Sequence, residues 1–232
     1  MTAGKSGIGR GGTGKTRVKT ARRRSAQSTR WLQRQLDDPY VKAAKAHGYR
    51  SRAAFKLIEV DEKFGLLKHA TRIVDLGAAP GGWVQVVREQ RPRAGIVGID
   101  LLDMDPIDGA HLLTMDFLDD KAPEAIVAHL DGMPDLVLSD MAANTIGHRQ
   151  TDHLRTMGLV EVAADFAYRY LVPGGAFVAK VLAGGADAGL VADLKRNFTT
   201  VKHVKPPASR KGSSEWYVVA QGFKGGKEQE IA

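Results

Sequence analysis

The sequence predicts an α/β domain, a mostly parallel seven-stranded sheet with helices on both faces, behind a basic and flexible N-terminal arm. Three observations lead there. After Gly65, seven short apolar runs alternate with helix-length segments, the sequence form of repeated βαβ units. The first four runs end in or beside an acid, at Asp75, Asp100, Asp116 and Asp140. Ligands of open α/β sheets bind outside the carboxyl ends of the strands, so this pattern gathers acids along one rim. The first run also passes into Val74-Asp75-Leu76-Gly77-Ala78-Ala79-Pro80-Gly81-Gly82-Trp83. Glycines at 77, 81 and 82 allow positive-φ turns and clear Cβ atoms from the path of a ligand. A lone glycine-rich turn is an ordinary βα connection, but here the strand before it, the helix after it and the later strand-end acids make it a nucleoside-cofactor cradle.

Taken in order, residues 1–36 hold ten Lys/Arg (Lys5, Arg10, Lys15, Arg17, Lys19, Arg22, Arg23, Arg24, Arg30 and Arg34) and no acid. The rest of the chain has 24 basic against 26 acidic residues, so the net charge of +8 belongs to the arm. Such an arm points to a polyanion, nucleic acid in preference to an acidic membrane surface, because it lacks amphipathic apolar residues. Gly9–Thr16 fits a P-loop pattern and Gly7–Gly12 a dinucleotide pattern, but no strand delivers either and no apolar helix face follows. Both are read as parts of a flexible arm, residues 1–27.

From Ser28 to Leu66 the pattern is helical. Trp31, Leu32 and Leu36 mark a first helix closed by Asp37-Asp38-Pro39, and a second runs to His47 before Gly48. Ser51 is the expected N-cap of a third, ending near Phe64. Its Leu57, Ile58, Val60 and Phe64 face a core, while Arg52, Lys56, Glu59 and Lys63 fall elsewhere, where Lys56 reads as a solvated lysine. The strands follow at Ile73–Leu76, Ile96–Ile99, Leu112–Met115, Leu136–Leu138, Ala176–Leu182, Val201–Val204 and Trp216–Ala220, with helices near 82–90, 120–130, 152–171 and 187–197. The core is thus expected over 67–222, with a tail at 223–232.

The 232 residues, 43% hydrophobic, suffice for one sizeable core. With no cysteine there is no disulfide, thiolate metal site or cysteine nucleophile, and the seven histidines form no ligand cluster in sequence. No apolar run approaches the roughly 18 residues of a membrane span, so a cytoplasmic, monomeric protein without metal is expected.

Asp100 stands 18 residues beyond Gly82, close to the spacing of an acid that accepts from ribose hydroxyls; Asp116 ends the next strand and suits an adenine amino group. Both also read as turn formers. Lys180 interrupts the apolar run Ala176–Leu182 just before Gly184-Gly185, near the same rim as Asp140. Desolvation and nearby positive charge lower a lysine's pKa, and a fall of two or three units from roughly 10.4 yields a base near neutrality. A lysine at a strand end reaching solvent fits the same position.

Ser51-Arg52-Ala53-Ala54-Phe55-Lys56-Leu57, the Asp75–Trp83 loop, Ser139-Asp140-Met141-Ala142, Ala179-Lys180-Val181 and Ser213-Ser214-Glu215-Trp216-Tyr217 occur in this order. Over roughly residues 27–222 the chain resembles the FtsJ/RlmE family. The resemblance implies a Rossmann-like methyltransferase sheet of seven strands with the last antiparallel, and S-adenosylmethionine-dependent 2′-O-methylation of RNA ribose. It places a Lys-Asp-Lys-Glu tetrad on Lys56, Asp140, Lys180 and Glu215, with Lys180 as base, and cofactor contacts at Gly81, Trp83, Asp100, Asp116 and Asp140. Trp83 is equally read as core. In the short bacterial members the target is a uridine in the A-loop of 23S rRNA in the large ribosomal subunit. Lys202, Lys205, Arg210 and Lys211 are candidate phosphate contacts.

Other chemistries fit less well. A cytosine-C5 enzyme needs a cysteine, and Asp140-Met141-Ala142-Ala143 is not the turn that holds an exocyclic amine. A non-catalytic rRNA-binding assembly factor would not need the tetrad. Deleting residues 1–24 is expected to weaken RNA affinity and flatten its salt dependence in filter-binding titrations; an unchanged slope would make the arm a bystander.

Overall fold

The computed structural model describes residues 25–143, 147–182, 188–210 and 212–225. Three helices lead in: α1 (Ala26–Asp37), α2 (Pro39–His47) and α3 (Ala53–Phe64). Asp38 caps α2 by accepting from the Tyr40 N–H at 3.0 Å, with Pro39 in the first turn, where its missing N–H costs nothing. Gly48 closes that helix in the left-handed conformation that only glycine adopts freely. Ser51 does not cap α3: its Oγ has no hydrogen-bond partner, and the helix opens at Ala53 behind a helical Arg52.

The sheet alternates with the remaining helices: β1 (Arg72–Leu76), α4 (Gly82–Gln90), β2 (Gly95–Asp100), β3 (His111–Thr114), α5 (Ala122–Leu130), β4 (Leu136–Ser139), α6 (Arg149–Tyr170), β5 (Ala176–Leu182), α7 (Ala188–Asn197), β6 (Phe198–Val204) and β7 (Glu215–Phe223). All seven predicted strands are present, most of them longer by a residue or more, since pairing recruits flanking polar residues that an apolar pattern omits. Strand order is β3-β2-β1-β4-β5-β7-β6, with β7 antiparallel to both of its neighbours and the other pairings parallel.

Side chains alternate across a sheet, so parity decides which helices each residue meets. Val74, Leu76, Val97, Ile99, Val137, Phe177, Ala179, Val218 and Ala220 pack with α5, α6 and α7. Ile73, Ile96, Leu136, Leu138, Val178, Tyr217 and Val219 pack with Leu57 and Val60 of α3 and Trp83, Val84 and Val87 of α4. Asp75, Lys180 and Glu215 share the parity of the second set. At the carboxyl end of the sheet the charged residues of these strands thus emerge on the face that α3 covers.

Among the described residues, no helix is long and apolar enough to cross a membrane. The P-loop-like and dinucleotide-like patterns of the arm, Gly184-Gly185 and Lys211 lie outside the described residues.

Candidate active site

Four elements converge at the carboxyl end of the sheet. Antiparallel pairing of β5 with β7 sets Lys180 opposite Tyr217 and Leu182 opposite Glu215, so Lys180, Tyr217 and Glu215 project to one side. Parallel pairing of β4 with β5 brings Ser139 beside Ala179, so Asp140, the next residue, arrives next to Lys180. From above, α3 adds Lys56.

Asp140 joins these groups. Its Oδ1 lies 3.1 Å from Lys180 Nζ and accepts from the Tyr217 hydroxyl at 2.6 Å, while Oδ2 lies 3.9 Å from Lys56 Nζ. Lys180 Nζ donates also to the Asp140 carbonyl at 2.5 Å, and Lys56 Nζ donates to Glu215 Oε2 at 3.3 Å while lying 5.7 Å from the centre of the Tyr217 ring. Burial pushes the Asp140 carboxyl up, but Lys180, Lys56 and the Tyr217 hydroxyl together outweigh it and hold the group below the usual carboxylate range. Burial first, then the charge and hydrogen bond of Asp140, push the Tyr217 phenol well above its ordinary value, so Tyr217 remains a donor.

Lys56 corrects the solvated reading. It is buried at 7% exposure, and its helical neighbours Arg52 and Glu59, about one turn away on either side, also turn inward rather than to water. Arg52 pairs with Asp38 and donates to the Ala208 carbonyl; Glu59 accepts from Tyr40 Oη at 2.8 Å and from the Ala208 N–H at 2.6 Å. The stripe 52/56/59 therefore seats the β6–β7 loop that delivers Glu215. Apolar periodicity cannot identify such a stripe, because its partners are polar groups and three of its bonds reach 149 to 159 residues along the chain. Of the candidate phosphate contacts, Lys205 Nζ donates to the Ser213 carbonyl at 2.7 Å, Arg210 Nε lies 3.4 Å from Asp38 with its side chain still exposed, and Lys202 is exposed.

The glycine loop lies next along the rim. Gly77 and Gly81 have φ of +77° and +103°. The room for each missing Cβ is taken by the protein itself: Met141 backbone atoms would lie 2.9 Å from one at Gly77, Arg50 Nη1 2.9 Å and Ile107 Cδ1 2.8 Å from one at Gly81, and Ser51 Oγ 2.5 Å from one at Gly82. These glycines let the loops of the site close on one another. Asp100 bridges two such loops, accepting from Ala79 N–H at 3.0 Å and Leu102 N–H at 2.9 Å, which leaves further lone pairs on both oxygens. Asp116 is exposed and accepts from Leu118 N–H at 2.9 Å. Trp83 is core: 3% exposed, its Nε1 donates to the Ala53 carbonyl at 2.7 Å and its ring packs 5.7 Å from that of Tyr217. Its side chain is thus committed inside, and only its backbone, in the first turn of α4, is left to meet a ligand.

Two residues enter that sequence reasoning left without a role. Tyr217 stands in a quoted motif, but its bond to Asp140 depends on the β5–β7 register. Asp75 is 1% exposed, with neither carboxylate oxygen hydrogen-bonded. Burial, and after it the charges of Asp140 and Asp100, push this carboxyl well above its ordinary value. Its place inside an apolar strand was the available signal.

A family model for FtsJ-like methyltransferases matches residues 49–223, which takes in the tetrad and the glycine loop. The chain belongs to that family. It is 73% identical over 209 residues to the ribosomal RNA large subunit methyltransferase E of Novosphingobium aromaticivorans, covering 90% of this chain and 94% of that one. The protein of the same name from Sphingopyxis alaskensis is 70% identical over 223 residues, 96% of each chain. A crystal structure described as that of a ribosomal RNA methyltransferase from Plasmodium falciparum superposes with a TM-score of 0.67 at 33% identity, covering 76% of this chain and all of that one.

Asp75→Asn tests the buried acid. Burial raises the folded-state pKa of Asp75 above that of the unfolded chain, so wild-type stability falls as pH rises from the ordinary carboxylate range toward the raised folded value. The variant should match wild type near about pH 4 and exceed it in thermal midpoint toward about pH 8. A gap that does not open with pH would mean that folded Asp75 is ionised.

Proposed function

We propose that this methyltransferase moves the methyl group of S-adenosylmethionine to the 2′-oxygen of a uridine ribose in the A-loop of 23S rRNA, with Lys180 as general base. The observation that carries the reading is the assembly of Lys56, Asp140, Lys180 and Glu215 into one cluster, both lysines on Asp140 and Glu215 on Lys56, beside a glycine-rich rim. The relatives' names support ribosomal RNA as the substrate class, and the short bacterial members that the chain resembles support the A-loop uridine.

The rim fits the methyl donor. Read strand by strand from β3 to β5 it presents Asp116, Asp100, the Asp75–Gly81 turn, Asp140 and Lys180, over roughly 19 Å at about 4.8 Å per strand. That is room for an adenine, a ribose and a charged amino-acid chain in series. Asp116 would take the adenine amino group, Asp100 the ribose hydroxyls, and Gly81 with the backbone of Trp83 the carboxylate end. When bound, the cofactor supplies an electrophilic methyl on a sulfonium; the protein must hold the attacking oxygen in line with it and remove a proton.

Lys180 suits that second task. Its Nζ is held on two sides by Asp140, by carbonyl and carboxylate, so its remaining direction is fixed. As general base it would take the proton from the ribose hydroxyl as the oxygen attacks, a step that only its deprotonated form can perform. Lys56 and Glu215, paired with each other, would orient the hydroxyl and meet the adjacent phosphate. A neutral ribose hydroxyl is a weak nucleophile, so its attack needs a base at this place to take the proton as the new bond forms.

Lys180→Met should abolish transfer in single-turnover assays, by at least about a hundredfold, while S-adenosylhomocysteine and RNA affinities stay near wild type. Transfer retained at a tenth or more of the wild-type rate, on the order of the loss allowed for a spectator, would remove Lys180 as base.

A further inference from the structure

Arg50 stands in the turn between α2 and α3, outside the tetrad and outside every predicted cofactor contact, yet its guanidinium reaches two loops of the cofactor rim. Nη1 donates to the Pro80 carbonyl at 3.1 Å and to the Asp105 carbonyl at 2.7 Å, and Nη2 to the Pro106 carbonyl at 2.9 Å. Pro80 belongs to the glycine loop after β1; Asp105 and Pro106 belong to the loop after β2 that begins at Asp100. The arginine is itself anchored by α4, whose Gln85 accepts from the Arg50 N–H at 2.7 Å and donates to the Gly48 carbonyl at 3.0 Å. Gly81 is shaped to this arrangement, since a Cβ there would meet Arg50 Nη1 and Ile107.

We propose that Arg50 is a positioning residue for cofactor affinity: it sets the separation of the glycine loop and the 101–108 loop, the two walls between which the methyl donor's ribose and amino-acid portions lie. The planar fork suits the task because it donates to carbonyls of both loops at once in fixed directions; a lysine ammonium offers one nitrogen and no such geometry. A wall built in advance spares the ligand the ordering that binding would otherwise cost. The proposal rests on the S-adenosylmethionine reading above.

The test is isothermal titration of S-adenosylhomocysteine into the full-length protein, wild type against Arg50→Ala, Arg50→Lys and Gln85→Ala. Arg91→Ala serves as control. That arginine also clasps two carbonyls, Ala70 at 3.0 Å and Lys68 at 3.1 Å, but around the opposite end of β1. Both Arg50 variants should weaken binding by about tenfold or more, and Gln85→Ala in the same direction by less. At saturating methyl donor the turnover of each should stay within about twofold of wild type, because the tetrad is untouched. Arg91→Ala should leave affinity within about twofold. Wild-type affinity in Arg50→Lys and Gln85→Ala, equal weakening in Arg91→Ala, or lost turnover with unchanged affinity would each overturn the assignment. A wild-type protein that binds no S-adenosylhomocysteine would instead overturn the cofactor reading and leave the strut between loops without that role.

Discussion

One carboxylate, that of Asp140, holds the rest of the site in place. It sits where β4 ends, and three cationic or hydroxyl groups from α3, β5 and β7 converge on it. Two buried lysines in one apolar layer would repel each other and leave their ammonium groups without counter-charge. Removing one partner of such a cluster typically costs about 3–5 kcal/mol, because the remaining charge stays buried and unpaired. Asp140 therefore fixes α3 on the sheet as much as it fixes Lys180 in its direction, and the stability of the layer and the chemistry of the site rest on the same bonds.

This arrangement follows from parity. Strand residues of one parity face α5, α6 and α7 and are apolar in the core apart from the buried Ser139, whereas the other parity meets α3 and α4 and turns charged toward the carboxyl end of the sheet. There Asp75, Lys180 and Glu215 come up under Lys56. The loops around them are tightly interlocked: the glycines of the first loop make room for Met141, Arg50 and Ser51, and Asp100 ties the first loop to the second. A cleft built in this way is shaped before any ligand arrives.

Much of this was legible in the chain. Helix 82–90 and strand Ala176–Leu182 are where periodicity places them, because each is a continuous local pattern with a glycine or polar boundary. The tetrad was legible only through ordered motifs resembling a family, since its members are far apart in sequence and their meeting depends on the β5–β7 register. Periodicity misplaced Lys56, because a polar helix stripe reads as solvated unless its partners are known; Arg52, Lys56 and Glu59 find theirs at Ala208, Asp140 and Glu215. Tyr217 was passed over because it acts through a cross-strand neighbour, and Asp75 was read only as one of the strand-end acids, although its place inside an apolar strand points to its burial.

The central claim is that this site methylates a ribose oxygen rather than a base. Incubation of the full-length protein with methyl-labelled S-adenosylmethionine and either 23S rRNA or large ribosomal subunits, followed by alkaline hydrolysis, tests it directly. A 2′-O-methyl group blocks cleavage of the adjoining phosphodiester, so the label should appear in one alkali-resistant dinucleotide with uridine as its first nucleoside. Label recovered in mononucleotides, on a base, would contradict the account.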